Sequence, residues 1–587
     1  MFDIFKKLDW FFKLRAKTYG LAVVCLLVVS LASAVTPIII GNLIDALAER
    51  TLVASDIYLQ IGIIFGLGVL MYALRYAWRA LIFTNSTMLE AIMRNKLFDH
   101  FTKMDSEFFH EHRTGDLMAH ATNDLASLKF VAGGGILTLT DSIVVSATTL
   151  FSMFVFIDWQ LTLLTIVPFP LLIVISRKLG KVINTRFRKS LESFSRVNDH
   201  VQESVSGIRV IKAFGEEQDD YASYSEDIEH VVEMNKQVFK IDSLYRPAID
   251  SITSLSYLLA LIFGTYFIYN GRITIGNLVS YFSYLAMMTW PLLAVGFLAN
   301  TLERGNVSYD RIQELLNNKS NIKEAQNPVR EPIKGDIHFD VRSFQYEDDE
   351  AVLLEDVQFE LKAGQTLGLV GKTGSGKSTI FKLLMRDYDH YKGQITYGGI
   401  DIKDYAVDSV AEAIGYVAQE PFLFSHSIAE NIRFGNPSLS LDQVAEFAKL
   451  SDVYEDIMGF PEQFDTQVGE KGVALSGGQK QRISIARALA VEPDYLFLDD
   501  SLSAVDAQTE HKILANFREL RQNRTTIIAS HKISSVMDAD LILVMEQGRV
   551  IGKGTHDDLI GSNEWYSKMY QKQQLEEKVE GGDQYGA

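Results

Sequence analysis

Apolar and polar positions divide the 587-residue chain into two unlike halves. In the first, six apolar stretches lie near residues 18–46, 57–83, 129–157, 160–180, 247–270 and 275–300. Each is about 20 residues or longer, the length that crosses a bilayer as a helix. The links at 47–56, 158–159 and 271–274 carry only Arg50 and Arg272 as cations, whereas the N-terminal segment and residues 84–128 and 181–246 are rich in Lys and Arg. Positive charge favours the inner side, so both chain ends are expected in the cytoplasm and the protein in the cell membrane. Helical periodicity continues through Asn85–Lys103 and Arg177–Ser206, then breaks at Phe109–Met118 and across Gly207–Gly215. This predicts two pairs of long helices, each pair joined by a short cross-piece about 30 Å from the membrane. Ahead of the first span, Phe2–Phe12 alternates apolar residues with lysine at helical spacing and predicts a helix lying on the inner leaflet.

The second half reads as a soluble α/β domain. Residues 317–335 lose periodicity and contain two prolines, which marks a linker between a membrane domain at 1–316 and a nucleotide-binding domain at 336–570, with a polar tail at 571–587. Strands are predicted at Asp336–Phe344, Val357–Leu361, Thr366–Val370 and Tyr495–Asp500, and helices at Ile380–Met385 and Lys480–Ala490. Within the spans, Arg75, Asp141 and Asp250 are costly in lipid and are expected to face the bundle interior or water. Tyr257, Phe263, Tyr266, Phe267, Tyr281, Tyr284, Met287, Met288 and Trp290 either line an adaptable apolar cavity or pack helix on helix. Pro291 is placed to kink the last span.

Charge sharpens the division. Residues 1–320 hold 29 Lys and Arg against 30 Asp and Glu, while residues 321–587 hold 27 against 44, a net charge of −17. An acidic soluble half lacks the positive field that nucleic acid requires, so no nucleic-acid partner is expected. The single cysteine, Cys25, excludes an intrachain disulfide and a multi-cysteine zinc site. The N-terminus imitates a secretory signal up to Ala32-Ser33-Ala34, but the apolar run continues through Ile40, as a first span requires.

Gly371-Lys372-Thr373-Gly374-Ser375-Gly376-Lys377-Ser378-Thr379 satisfies the P-loop pattern at every fixed position, between a predicted strand and a predicted helix. In such a loop the backbone N–H groups and the helix N-terminus face phosphate oxygens, the lysine reaches the β- and γ-phosphates, and the serine hydroxyl binds Mg²⁺. Tyr346, after the first strand, offers a ring to stack on adenine. Leu475-Ser476-Gly477-Gly478-Gln479 opens a helix as a second anion site. Tyr495-Leu-Phe-Leu-Asp499-Asp500 is an apolar strand ending in carboxylates, which suits Asp499 to Mg²⁺.

Taken in order, the P-loop, Gln419, Leu475–Gln479, Asp499, Ser503-Ala-Val-Asp506 and His531 resemble the ATP-binding cassette exporters, specifically a half-transporter with six spans followed by one cassette. The resemblance covers residues 1 to about 570 and implies ATP and Mg²⁺ as cofactors, with an all-α six-helix membrane domain before an α/β P-loop cassette. It further implies that Gln419 touches the metal and the attacking water, that Asp506 communicates across a cassette dimer, and that His531 contacts the γ-phosphate. Each nucleotide would lie between one chain's P-loop and another's Ser476–Gln479. The family places glutamate after the metal-binding aspartate, whereas this chain has Asp500. That departure resembles the impaired-site subunit of bacterial heterodimeric multidrug exporters and implies a non-identical partner that carries the catalytic glutamate. A small amphipathic substrate and membrane lipids complete the expected partners. A homodimeric lipid or peptide exporter and a nucleotide-gated channel stay open on sequence.

Overall fold

The computed structural model describes residues 3–51, 53–346, 351–469 and 475–582. Phe2 and the last five residues of the expected tail, 583–587, lie outside them. The chain forms two compact units: Met1–Thr102 with Arg113–Asn318, and Lys103–His112 with Lys319–Ala587.

The first unit is helical. Among the described residues, Ala16–Ala48, Ala54–Phe101, Thr114–Ile157, Glu217–Tyr269 and Ile275–Asn317 are long and apolar enough to cross a membrane. The 48 residues of Ala54–Phe101 extend about 72 Å at 1.5 Å per residue, well beyond a hydrocarbon core of about 30 Å. The fourth expected span is not one uninterrupted helix. Asp158 caps Trp159–Ile166 by accepting from the backbone N–H groups of Gln160 and Leu161 at 2.8 and 3.0 Å, and a new helix, Phe169–Ser206, starts after Pro168. Proline has no N–H to continue the ladder, so the break falls there even though the apolar character does not change.

The spans pack through small residues and polar ties. A Cβ on Gly276 would lie 2.0 Å from the Gly41 carbonyl oxygen, so the first and last spans meet backbone to backbone. Asp45 accepts from the Gly276 N–H at 2.7 Å and from the Thr274 hydroxyl at 2.6 Å, and Ser280 donates to the Pro37 carbonyl at 2.7 Å. Tyr281 and Tyr284 are fully buried, and Tyr284 donates to the Ala34 carbonyl. They pack helix on helix, while Tyr266 and Trp290 are exposed on this chain. Asp141 is half-buried and faces Arg75 and Arg79, whereas Arg75 and Asp250 lie on exposed faces.

The cross-piece expected at 109–118 is instead the helix Ser106–Glu111. Asp105 starts it early by accepting from the Phe108 N–H at 3.0 Å, and His112 ends it in extended backbone. The second cross-piece is Ile208–Phe214, bounded by Gly207 and by Gly215 at φ +72°, and it buries none of its own residues.

In the second unit, β1 (Ile337–Phe344), β2 (Leu354–Leu361), β4 (Lys392–Tyr397) and β5 (Ile400–Asp401) form an antiparallel sheet ordered β2-β1-β4-β5. A second sheet runs β10-β9-β3-β8-β7-β6, where β3 is Thr366–Gly371, β6 Ile414–Val417, β7 Tyr495–Asp499, β8 Thr525–Ser530, β9 Leu541–Glu546 and β10 Arg549–Gly554. All neighbours in it are parallel except β9 and β10. Tyr495 and Phe497 pack on one face with Ile380, Phe381 and Leu384 of the helix Lys377–Leu384. Leu496 and Leu498 pack on the other with Ile483 and Ile485 of the helix Gly477–Ala490. Covered on both faces, these strands read as continuous apolar runs.

Replacing Gly276 with Val would insert side-chain atoms where backbone meets backbone. The expected loss is about 1–3 kcal/mol, measured as a lower unfolding midpoint of the detergent-solubilised protein, and Gly62→Val, where the added atoms meet nothing within 4 Å, serves as the control.

Candidate functional site

The order of the parallel strands sets the site. β6, β7, β8 and β3 are neighbours with one direction, so the residues following each carboxyl end gather on one edge. Gln419 follows β6, Asp499 and Asp500 end and follow β7, His531 follows β8, and the P-loop follows β3. A cavity of about 170 Å³ is lined by Leu353, Thr373–Thr379, Gln419, Asp499, Asp500 and His531.

Local chemistry shapes this cavity for a polyphosphate. Gly371 must lack a side chain because a Cβ there would lie 2.2 Å from the Met545 carbonyl. Gly376 sits at φ +99° immediately before the helix Lys377–Leu384, a conformation that turns the loop into the helix start without strain. The Ser375 hydroxyl is buried and has no hydrogen-bond partner among the described residues. The Lys377 ammonium donates to the carbonyls of Gly371 at 2.8 Å and Lys372 at 3.1 Å. Burial pushes the Lys377 pKa down, against the pull of Asp500 and Asp499. An uncommitted hydroxyl, a caged ammonium and an open helix N-terminus fit a triphosphate.

The Ser378 hydroxyl donates to Asp499 Oδ1 at 3.0 Å, and Tyr416 donates to Oδ2 at 3.3 Å. Burial raises the Asp499 pKa, and these two hydrogen bonds oppose the rise. Hydroxyl and carboxylate are thus already neighbours, as two oxygen ligands of one Mg²⁺ need to be. Tyr416 was not read from sequence; the available signal was only its place on the strand leading to Gln419. Asp500 is 8 % exposed and adopts φ +47°. Its N–H donates to the Ala529 carbonyl at 2.9 Å, and its carboxylate lies 3.7 Å from His531 Nε2.

Other expected site residues lie apart from this cavity. Ser476 caps the helix Gly477–Ala490, accepting from the Gln479 N–H at 3.2 Å, while Gln479 Oε1 accepts from the Ser476 N–H at 3.0 Å. Gln479 also donates to Asp456 at 3.0 Å. Ser476 and Gly477 are exposed, and nothing stands within 4 Å of a Cβ on Gly477, whereas Gly478 approaches the Ala504 carbonyl. Asp506 caps Ala507–Leu520 by accepting from the Thr509 N–H at 3.0 Å, which lowers its pKa. Ser476, Gly477, Gly478, Gln479 and Asp506 do not line the P-loop cavity. Tyr346 does not line it either, but its hydroxyl lies 3.4 Å from Thr379 Oγ1 and accepts from Lys382 at 3.3 Å.

Two family models match the chain: the ABC transporter transmembrane region over residues 19–292, and ABC transporter over residues 354–503. The chain is 41% identical over 582 residues to the probable multidrug resistance ABC transporter ATP-binding/permease protein YheI of Bacillus subtilis, covering 99% of this chain and 100% of that one. This chain belongs to the ABC transporter family. The multidrug resistance-like ATP-binding protein MdlA of Escherichia coli is 39% identical, with 98% of this chain and 97% of that protein covered. The structure of a bacterial Atm1-family ABC exporter with ATP bound superposes with a TM-score of 0.79 at 25% identity, covering 95% of this chain and 99% of that one. The protein is therefore a multi-pass membrane ABC exporter, a helical transmembrane domain followed by an α/β ATPase domain, that couples ATP hydrolysis to transport.

The cross-helix Ser106–Glu111 is part of the ATPase unit, and its contact there titrates. Burial raises the Asp387 carboxyl to about 6, opposed by the Lys382 charge and a hydrogen bond with Ser106. A carboxyl raised above its usual range favours the fold while protonated, so that contribution is complete at low pH and lost as pH rises through about 6. Asp387→Asn removes this dependence. Its unfolding midpoint is expected to gain on wild type as pH rises from about 4 to about 7, followed by scanning calorimetry.

Proposed function

We propose that this chain is the impaired-site half of a heterodimeric exporter of hydrophobic or amphipathic drugs. It binds ATP at its own P-loop and presents Ser476, Gly477, Gly478 and Gln479 to the partner's nucleotide. The observation that carries this reading is Asp500, the carboxylate at the end of β7, on the cavity wall with His531 and Gln419. A glutamate there would carry its carboxylate one methylene further. A shortfall of about 1 Å between a catalytic group and its water costs on the order of 100-fold in rate. The left-handed backbone of Asp500 suits aspartate, which tolerates that region better than most side chains.

The remaining roles are those the family resemblance implies. Lys377 turns from its loop carbonyls toward the β- and γ-phosphates, Ser378 and Asp499 hold Mg²⁺, and Tyr346 stacks on adenine. Bound there, Mg²⁺ neutralises phosphate charge and polarises the phosphoryl oxygens. Gln419 and His531 orient the attacking water and the γ-phosphate, and Asp506 faces the opposing cassette. Because Ser476–Gln479 and the P-loop cavity are separate in one chain, a complete site takes two cassettes. The multidrug designations of YheI and MdlA support the drug class. The basic segments flanking the spans support cytoplasmic chain ends.

In the transporter purified with its co-expressed partner, Asp500→Asn is expected to change ATPase turnover less than about twofold, and removal of the partner's corresponding carboxylate to lower it on the order of 100-fold. Asp500→Glu is expected to raise it. The chain purified alone should show little drug-stimulated ATPase; robust activity from a self-paired chain would count against the asymmetric reading.

A further inference from the structure

The ring of Tyr346 has three aromatic neighbours among the described residues. Phe344 and Tyr388 meet it at 83° and 67°, with centroids 5.1 and 5.3 Å away, and so are steeply inclined to its plane. The third, His110, is 31° from parallel with its centroid at 6.4 Å. Lys382 donates to the Tyr346 hydroxyl at 3.3 Å and also stands over the ring, 5.2 Å from its centre, a cation–π contact on the hydroxyl end of one face. The imidazole of His110 is exposed and makes no hydrogen bond or ion pair among the described residues.

His110 is held near that ring by the seating of its helix. Asp105 accepts from the Ser320 hydroxyl at 2.9 Å and the Asn321 N–H at 2.5 Å, and Glu107 accepts from the Asn321 side chain at 2.7 Å. Phe108 is 5 % exposed and stacks on His112 with centroids 4.5 Å apart. The helix is fixed, and the imidazole is free to rotate on it.

We propose that His110 is the second wall of the base pocket, so that the adenine of ATP inserts between the imidazole of His110 and the phenol ring of Tyr346. The inference rests on the reading of Tyr346 as the adenine platform. Two aromatic contacts of about 3.5 Å need about 7 Å between the outer planes. With ring centroids 6.4 Å apart and planes 31° from parallel, the exposed imidazole needs a rotamer adjustment to reach that spacing. A base held this way touches the cross-helix joining the second and third spans, whereas a bare triphosphate touches only the P-loop. His110 thereby becomes a nucleotide-binding residue contributed by the membrane-spanning half of the sequence.

The test measures equilibrium binding of radiolabelled ATP, and competition by inorganic triphosphate, to the full chain in detergent. The variants are His110→Ala, His110→Phe and Tyr346→Ala. The inference expects His110→Ala to weaken ATP binding by about fivefold or more, the loss typical of one base–aromatic stack. Triphosphate affinity should stay unchanged, and His110→Phe should remain within about twofold of wild type, since a phenyl ring stacks as well. If Tyr346→Ala weakens ATP but His110→Ala does not, the platform stands and the second wall is overturned. Equal loss of ATP and triphosphate in His110→Ala also overturns it, as damage to the loop. If neither alanine variant changes ATP binding, the adenine reading of Tyr346 fails and the inference falls with it.

Discussion

A polyphosphate can be held in this protein only where backbone N–H groups, a helix N-terminus and one caged ammonium converge, and the cassette is arranged around that requirement. β3 is buried in the middle of its sheet so that the loop after it is fixed. The neighbouring parallel strands β8, β7 and β6 then deliver His531, Asp499 with Asp500, and Gln419 to the same edge. Parallel strands can do this and antiparallel ones cannot, because only the former end together. The exposed helix start at Ser476 is satisfied internally by its reciprocal bonds with Gln479 and is open outward at Gly477. Ser476 and Gly477 lie apart from the P-loop cavity within one chain, the separation on which the proposed pairing of two cassettes rests.

The membrane unit answers a different constraint. Inside lipid there is no hydrophobic drive to bring helices together, so contact comes from close backbone approach and polar ties. Gly41 against Gly276, Asp45 with Thr274 and Gly276, and Ser280 with Pro37 supply both between the first and last spans. The helices then continue far beyond any bilayer, and their cross-pieces differ in kind. Ser106–Glu111 is anchored in the cassette unit through Asp105 and Glu107, while Ile208–Phe214 presents Ile208, Val210 and Phe214 without burying them.

What was legible in the sequence was what is local to the chain. The P-loop, Ser476–Gln479 and the aspartates after Tyr495–Leu498 are each short runs whose residue types state their chemistry. Gln419 and His531 are isolated letters, readable only through a family resemblance, because sheet order rather than sequence spacing brings them to the cavity. Tyr416 is not legible for the same reason: its hydroxyl reaches Asp499 from the adjacent strand. The apolar profile gave no sign that Pro168 interrupts the fourth span, since apolarity measures burial in lipid and not backbone hydrogen bonding. The cross-helix starts three residues before the break in periodicity at Phe109 because Asp105 caps it, a local bond that the apolar pattern does not show.

The central claim, that two cassettes jointly clamp nucleotide and that this chain's own site turns over slowly, is tested most directly by vanadate trapping of a photoreactive ATP analogue in the assembled transporter. The account predicts covalent label on the partner polypeptide, at most one trapped nucleotide per pair, and loss of that label when Ser476 of this chain is replaced by Arg. Trapped label on this chain at the level of the partner's, or trapping that survives the Ser476 replacement, would contradict it.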